Sequence, residues 1–289
     1  LTLVLAANSV TDTDGTPLQN VQQTFVVKDN IDLTSDANWV KLLYGNQYDY
    51  FDDVQSNKEG TDLVGDNDHT LLSTQYNSST DELAFRVRLE SENPDGIFTL
   101  LGVDGTGNGA IDFFVGVNIP SNGGTPTVEF YETGNGTNDS PSTSSFKNPI
   151  SAAGGVVDIT AASDGDDIDA DGNVDGFASF KLDASAFVNF ANGAGGLTGY
   201  TIDDQVNFML LTATQTNSIN GDIGGIDGNS SRTKYSDMGA FKPITFSGDS
   251  SGENKTTFTF DKQEVNDPVV LESVRAINYV DTDGKDTFS

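Results

Sequence analysis

The segment DGDDIDADGNVD, residues 164–175, separates two β-rich runs, residues 155–160 and 176–182. Both runs are short and bounded by Gly, Asp or Asn, which is typical of strands. Two strands joined by an acidic, turn-rich loop predict a β-hairpin. The rest of the chain repeats the pattern of short β-rich runs between Gly, Asn, Asp and Ser, and helical periodicity is scarce. The sequence therefore predicts an all-β protein in which this loop ends a hairpin.

Eight runs outside the loop have strand character. They are residues 24–27, 83–89, 97–101, 111–117, 127–131, 178–182, 206–212 and 256–260. In residues 83–89, Arg86 and Arg88 fall on one face and apolar residues on the other. Together with 31 Gly and many Asp-Gly and Asn-Gly turns, these runs predict a large antiparallel β-sandwich, jelly-roll-like, with hairpin loops and extended terminal strands.

Short helices and the division of the chain follow from the same pattern. Residues 36–43 and 183–190 are predicted to be helical, with Asp183 as the cap of the second helix. Residues 248–255 read as a linker. The expected parts are an N-terminal strand segment, residues 1–28, a main sandwich, residues 29–246, and a C-terminal strand segment, residues 247–289.

The acidic loop has the spacing of a calcium site. From Asp167 it reads D-x-D-x-D-G-x-x-D, which lets alternating carboxylates surround a hard cation, and Gly172 allows the sharp turn. The expected ligands are side-chain oxygens of Asp167, Asp169 and Asp171, the backbone carbonyl of Asn173, and Asp175 directly or through water. An EF-hand would need an acid where Ala178 stands. A solvated acidic turn is the alternative, but acids this dense repel one another strongly without a cation.

Three other segments repeat parts of this frame. Residues 104–112, DGTGNGAID, place oxygen-bearing side chains at the corresponding positions, namely Asp104, Thr106, Asn108 and Asp112. Because neutral oxygens replace carboxylates there, this segment predicts either a weaker calcium site or a turn of the same geometry. Shorter matches near the two ends offer Asp12, Asp14, Asp281, Asp283 and Asp286. An Asp-Gly turn explains each short match equally well.

Composition excludes several classes of partner and points to a secreted, extracellular or cell-surface protein. The formal net charge is -30 over 289 residues, with only 14 Lys and Arg. Nucleic acid and anionic membrane surfaces are therefore not expected partners. Cysteine is absent, which excludes disulfides and thiolate metal sites. No apolar run approaches membrane-spanning length, so membrane insertion is not expected.

Catalytic motifs are missing. His69 is the single histidine and stands in a polar stretch, and no G-x-S-x-G motif accompanies a serine. Zinc catalysis would need further histidine or cysteine ligands that the chain lacks. Two carboxylates would suffice for a glycosidase, but 44 acids offer too many pairs to nominate one. We expect no enzymatic activity.

Two resemblances bear on function. The acidic loop is similar to the calcium-blade loop of integrin-type extracellular domains. Residues 206–225, VNFMLLTATQTNSINGDIGG, and residues 100–117 resemble segments of poorly characterised bacterial exported proteins, often large surface or matrix proteins. The second resemblance implies export and a surface role, and it transfers no catalytic residue.

Two classes of function follow from the sequence. The first is a calcium-dependent structural subunit of an extracellular filament, tube or surface layer, self-associating into a homopolymer. Residues 1–5 alternate Leu with Thr and Val, as a donor strand for a neighbour's sheet would, although they can equally pair within their own sandwich. The second is an adhesin or glycan-binding module, for which the aromatic residues Trp39, Tyr44, Tyr48, Tyr50 and Phe51 would be the platform. Core packing is the other explanation for these rings.

Overall fold

A computed structural model of the chain describes most of its central part. The described residues are 2–4, 22–24, 30–43, 53–56, 58–66, 68–163, 167–226, 232–246 and 257–258, the first two and the last of these segments as backbone only. Strands dominate the described residues, and two short α-helices accompany them. The prediction of an all-β protein is confirmed.

The strands, numbered in chain order, are β1 (Thr2–Val4), β2 (Gln22–Thr24), β3 (Val40–Leu43), β4 (Leu72–Asn77), β5 (Glu82–Leu89), β6 (Ile97–Asp104), β7 (Phe113–Ile119), β8 (Thr127–Thr133), β9 (Phe146–Ser151), β10 (Val156–Ala161), β11 (Gly176–Asp183), β12 (Val206–Ala213), β13 (Lys242–Thr245) and β14 (Thr257–Phe258). A single 3-10 turn covers Glu59–Thr61 in the described residues, and the helices are α1 (Ala184–Asn192) and α2 (Tyr235–Met238).

Two antiparallel sheets make up the sandwich. The five-stranded sheet has the order β10-β11-β5-β4-β3, and the seven-stranded sheet has the order β14-β13-β12-β6-β7-β8-β9. Each of the predicted runs from residue 83 to residue 212 overlaps one of these strands, although residues 111–112 precede β7. The short turns rich in Gly, Asp and Asn permit antiparallel neighbours such as β6 and β7, where Val103 lies opposite Phe113.

The main core lies between the two sheets. Alternation along β5 turns Phe85 inward, where its ring lies 5.4 Å from Phe180 of β11 and 5.8 Å from Phe246, which follows β13. Helix α1 closes one side of this core, since Phe190 stacks on Phe130 of β8 at 4.6 Å. Arg86 and Arg88 point to the opposite face of β5, as predicted, but both are buried there.

A second core covers the outer face of the seven-stranded sheet. It includes Phe114 of β7, Tyr131 of β8 and Leu211 of β12, with Tyr235 of α2 packed against them. Because β12 is buried on both faces, its sequence VNFMLLTA is nearly continuous in apolar residues instead of alternating. The seven-stranded sheet thus has a hydrophobic core on each of its two faces.

The two predicted helices have different outcomes. The segment 36–43 is not helical, because Val40–Leu43 forms β3 and pairs with β4. The second helix is confirmed as α1, but Asp183 makes no side-chain cap hydrogen bond. Asp81 satisfies the helix amides instead: its backbone carbonyl accepts from Ala184 N at 2.7 Å and its Oδ1 accepts from Ser185 N at 3.0 Å. A residue from a neighbouring turn therefore caps the helix.

The chain divides into two compact units by internal contacts, Leu1–Asp29 with Asp267–Ser289, and Asn30–Asn266. In the first unit, β1 pairs with β2 in a two-stranded antiparallel sheet, with Leu3 opposite Gln23. Residues 2–4 therefore pair with residues 22–24 of their own chain and not with a strand of the sandwich, which was the expected alternative, and addition to a neighbour's sheet stays a prediction. The linker predicted at residues 248–255 lies outside the described residues.

In the part of the chain that is described, neither helix has the length and apolar character needed to cross a membrane.

Candidate metal centre

The acidic loop joins β10 to β11 at one end of the five-stranded sheet. These strands pair without interruption from Val156 opposite Lys181 to Ala161 opposite Gly176, so the predicted hairpin is confirmed. Ala162 N donates to Asp175 O at 2.9 Å and closes the base of the loop. Residues 164–166 lie outside the described part of the loop, and residues 167–175 are described completely.

The aspartates of the loop accept hydrogen bonds from the loop's own backbone. Asp167 accepts from Asp171 N at 3.1 Å and from Gly172 N at 3.0 Å, one bond on each carboxylate oxygen. Asp169 Oδ1 also accepts from Asp171 N, at 3.2 Å. Asp171 accepts from both the backbone N and the side-chain Nδ2 of Asn173, each at 2.7 Å. The φ of +101° at Gly172 explains the glycine in the motif. These bonds bring the three predicted carboxylate ligands into one turn.

A residue outside the loop completes the acidic group. Glu90 follows β5, which lies next to β11 with Leu89 opposite Gly176. One carboxylate oxygen each of Glu90, Asp169 and Asp171 lie within 4.8 Å of one another. Sequence reasoning missed Glu90 because it is far from the motif along the chain and reaches it only through sheet pairing.

Close backbone contact brings Glu90 to the loop. Glu92 N donates to Val174 O at 2.8 Å, and Glu90 N donates to Asp62 O at 3.1 Å. A Cβ added at Gly176 would collide with the backbone of Ser91 and Glu92, so only glycine allows this approach. The backbone on both sides of Glu90 is thereby fixed against the base of the loop.

The carboxylate of Glu90 is buried without compensation. The residue is 3% exposed, and neither carboxylate oxygen has a hydrogen-bond partner among the described residues. Burial, followed by the charges of Asp169 and Asp171, raises the pKa of Glu90 to about 9. Burial also raises the pKa of Asp169. The negative charges in this group therefore oppose one another, which is the condition that a proton or a cation relieves.

Asp175, the last predicted ligand, lies in a different environment. Its Oδ2 accepts from Arg88 Nη1 at 2.8 Å, and both side chains are fully buried. The Arg88 guanidinium also lies 4.8 Å from the ring centre of Phe177. Burial raises the pKa of Asp175 despite the opposing effect of Arg88. The structure thus places Asp175 in a buried ion pair, while Glu90 occupies the position beside Asp169 and Asp171.

The second predicted loop is a hairpin turn held by its own amides. Asp104, which is buried, accepts from Gly107 N, Asn108 N and Gly109 N at 2.6–3.1 Å. Asp112 Oδ2 accepts from Gly105 N and Thr106 N at 2.9 and 3.0 Å. Thr106 and Asn108 line the same turn, and Asn108 Oδ1 accepts from Ala110 N at 2.8 Å. These bonds fit the turn alternative, and a weaker calcium site in this segment stays a prediction.

The terminal candidates Asp12, Asp14, Asp281, Asp283 and Asp286 lie outside the described residues.

A further acidic group, which the sequence did not indicate, lies inside the described part of the molecule. One oxygen each of Asp53, Asp62 and Asp222 fall within 4.8 Å of one another. Asp222 is fully buried and accepts from Leu63 N at 3.0 Å and Ile223 N at 2.7 Å. Burial, followed by the charges of Asp53 and Asp62, raises its pKa well above the usual range. Proximity alone identifies no ligand for this group.

Trp39, considered for glycan binding, and His69, considered for catalysis, both have structural contacts. Trp39 is half-buried, donates from Nε1 to Ser35 O at 2.8 Å and lies 4.5 Å beneath the Arg86 guanidinium. The other four aromatic residues of the group lie outside the described residues. His69 Nδ1 lies 2.8 Å from Asp66 Oδ1 in a surface turn. For Trp39, packing is the explanation that the contacts favour.

Comparison of the chain with protein-family models, curated protein sequences and solved structures gives no match. Function is therefore inferred from the fold and the acidic site.

Proposed function

We propose that this chain is a calcium-stabilised structural subunit of an extracellular filament, tube or surface layer, assembled by strand addition between subunits. One observation carries the calcium part: the hairpin loop folds so that Asp167, Asp169 and Asp171 converge in a single turn. A simple surface turn has no need of so many converging carboxylates. The strong net negative charge, -30 over 289 residues, suits a surface exposed to extracellular divalent cations.

The available ligand atoms favour calcium among common cations. The converging groups are carboxylates, and hard oxygen ligands select calcium, magnesium or manganese over zinc or copper. Extracellular modules bind calcium at about 10⁻⁴–10⁻³ M. A ten- to hundred-fold excess of calcium over the dissociation constant stabilises the folded state by about 1.4–2.7 kcal/mol per site. That amount is a sizeable fraction of the net stability of a domain.

Open strand edges support the assembly part. In the five-stranded sheet, β10 pairs only with β11, so its other edge has no partner strand among the described residues. Val156 on β10 is 47% exposed and is one of the most exposed large apolar residues described. An edge with unpaired backbone groups is a template for a strand from another chain. The edge strand β9 of the other sheet is less suitable, since Pro149 removes a donor and Asn148 has a φ of +54°.

The proposed donor is the N-terminal strand. Residues 2–4 pair with β2 in a two-stranded sheet, and such a ribbon is only marginally stable by itself. Addition of this strand to β10 of a neighbour would satisfy backbone groups on both chains. Because the donor and acceptor surfaces differ, the contact is head-to-tail and propagates into a fibre.

The test follows the purified chain by light scattering and negative-stain microscopy while calcium is added and then chelated. We expect ordered filaments or tubes with calcium, and loss of assembly without loss of folding when residues 1–7 are deleted. A compact monomer at every calcium concentration would contradict the proposal and favour the adhesin or glycan-binding class, which a glycan array tests. Assembly that is unaffected by the deletion would exclude residues 1–7 as the donor.

A further inference from the structure

We propose that Glu90, which lies outside the acidic motif, is a direct ligand of the bound cation, and that Glu90, Asp169 and Asp171 form one divalent-cation site. The inference rests on the calcium binding proposed above and assigns its ligands. Asp175, whose Oδ2 pairs with Arg88, is not a member of this group of three. The cation would then connect β5, a central strand of the five-stranded sheet, to the β10–β11 loop.

The first argument is the state of the Glu90 carboxylate. Buried polar atoms in folded proteins nearly always have a hydrogen-bond partner, and a buried carboxylate without one is strongly unfavourable. Glu90 is 3% exposed, and both of its carboxylate oxygens lack a partner among the described residues. Asp169 and Asp171, by contrast, accept hydrogen bonds from loop amides. Glu90 is therefore the member of the group whose oxygens most need a ligand.

The second argument is distance. Calcium takes about six to eight oxygen ligands at about 2.3–2.6 Å, so two oxygens on one ion lie at most about 5 Å apart. One carboxylate oxygen from each of Glu90, Asp169 and Asp171 meets this limit, since these three oxygens lie within 4.8 Å of one another. Three carboxylates supply up to about six oxygens, and water can complete the shell on the exposed side of Asp171.

The third argument is the arrangement of positive charge. Arg88 lies on β5, two residues before Glu90, and its guanidinium pairs with Asp175 at 2.8 Å. The basic residue nearest in sequence to the group is thus engaged by a different carboxylate. A cation from solvent would neutralise Glu90, Asp169 and Asp171 together, and protonation would do so in part.

Protonation of Glu90 is the competing explanation, and the two explanations differ in an observable way. If a proton alone neutralises Glu90, removal of its charge leaves calcium binding unchanged. If Glu90 is a ligand, Glu90→Gln keeps the shape and removes the cation's buried partner. The variant should then be at least as stable as the natural chain in chelator, because an uncompensated buried carboxylate is gone, and it should gain no stability from calcium.

The experiment compares the natural chain with Glu90→Gln and with Glu92→Gln as the matched control. Glu92 is half-buried, lies two residues further on, and is not a member of the acidic group. Each protein is stripped with chelator and titrated with calcium by calorimetry, and its melting temperature is measured with and without calcium. We expect Glu90→Gln to lose at least about ten-fold in calcium affinity and to lose the calcium-dependent rise in melting temperature. Glu92→Gln should behave like the natural chain.

The outcomes of this experiment distinguish an error in the role of Glu90 from an error in the proposed calcium binding. Calcium affinity in Glu90→Gln equal to that of the natural chain would overturn the role of Glu90 and leave the calcium part of the proposed function intact. No calcium binding by the natural chain would overturn both. Should Glu90→Gln fail to fold, the side-chain carboxylate ¹³C resonances of the natural chain supply the measurement. A calcium-dependent shift of the Glu90 signal supports the inference, and an unmoved signal contradicts it.

Discussion

Arg88 Nη1 donates to Asp175 Oδ2 at 2.8 Å, and both side chains are completely buried. Arg88 lies on β5 and Asp175 ends the acidic loop, so the pair fixes the base of the loop to the middle of the five-stranded sheet. The sequence motif assigns Asp175 to a cation, whereas the structure pairs it with a guanidinium. A carboxylate that neutralises a buried arginine has a role in folding whether or not a metal is bound.

We therefore expect Asp175→Asn to destabilise the protein equally with and without calcium. Removing one charge of a buried pair leaves the other uncompensated, at a cost of about 3 kcal/mol or more. Urea unfolding in calcium and in chelator measures the two values. A cost confined to the calcium-containing buffer would restore Asp175 to the ligand set.

For the aspartates at the tip of the loop, we expect a loss of stability that appears only when calcium is present. Asp169→Ala combined with Asp171→Ala should lower the melting temperature in calcium and remove most of its calcium dependence. The loss corresponds to about 1.4–2.7 kcal/mol at ten- to hundred-fold excess calcium. In chelator the variant should be no less stable than the natural chain, because two mutually repelling charges are gone.

The matched control for this variant is Asp203→Ala combined with Asp237→Ala. Both residues are exposed and lie outside the acidic groups, and the change in net charge is the same. The control should retain the calcium-dependent rise in melting temperature. A calcium response that is equally weak in both variants would attribute the effect to net charge and not to the loop.

The hairpins were predictable from sequence because their information is local. Glycine and aspartate at fixed offsets specify a turn, and the flanking runs at residues 97–101 and 176–182 specify strands. The strand β4 was not predicted because its sequence LSTQYN is polar although every residue is buried. Thr74 Oγ1 resolves this conflict by donating to Ala84 O at 2.8 Å. Such a partner is invisible without the pairing of β4 with β5.

The wrong prediction of a helix at residues 36–43 has a similar cause. The segment contains apolar residues near helical spacing, but Val40–Leu43 gains more by completing the edge of the five-stranded sheet, where Leu42 and Leu43 are buried. Glu90 likewise carries no local signal. Its place beside Asp169 depends on the β5–β11 register, so sequence reasoning found the loop half of the site and missed the strand half.

The ion pair between Glu82 and Lys181 predicts a pH dependence. Lys181 Nζ donates to Glu82 Oε1 at 2.7 Å, and Ile31 N donates to Oε2 at 2.7 Å. Burial tends to raise the pKa of Glu82, but these hydrogen bonds outweigh it and lower the pKa below its usual 4.5. A carboxylate with a lowered folded pKa stabilises the protein above its unfolded pKa, and this contribution is lost as the pH falls through the folded value.

We expect Glu82→Gln to cost about 2–3 kcal/mol near neutral pH. The cost should shrink as the pH falls below about 4.5, because the natural carboxylate then becomes protonated as well. Denaturant unfolding of both proteins across this range gives the difference. Glu132→Gln is the control, since Glu132 accepts a hydrogen bond from Asn148 Nδ2 at 2.9 Å in an exposed setting. A difference independent of pH would show that shape and not charge determines the effect of Glu82.

The exposed edge of β10 gives the last prediction, which concerns assembly. Val156 is 47% exposed on β10, and Ile150 is 46% exposed on β9, so the two offer similar apolar side chains on the proposed edge and on the less suitable one. A lysine on an edge strand opposes the addition of another strand, because its charge would have to be desolvated in the new pair. We therefore expect Val156→Lys to raise the concentration needed for assembly by about ten-fold or more, while Ile150→Lys leaves it nearly unchanged. Sedimentation of polymers across a concentration series, at saturating calcium, measures both. Equal effects of the two lysines would indicate a general charge effect, and no effect of either would place the growing contact on a surface other than β10.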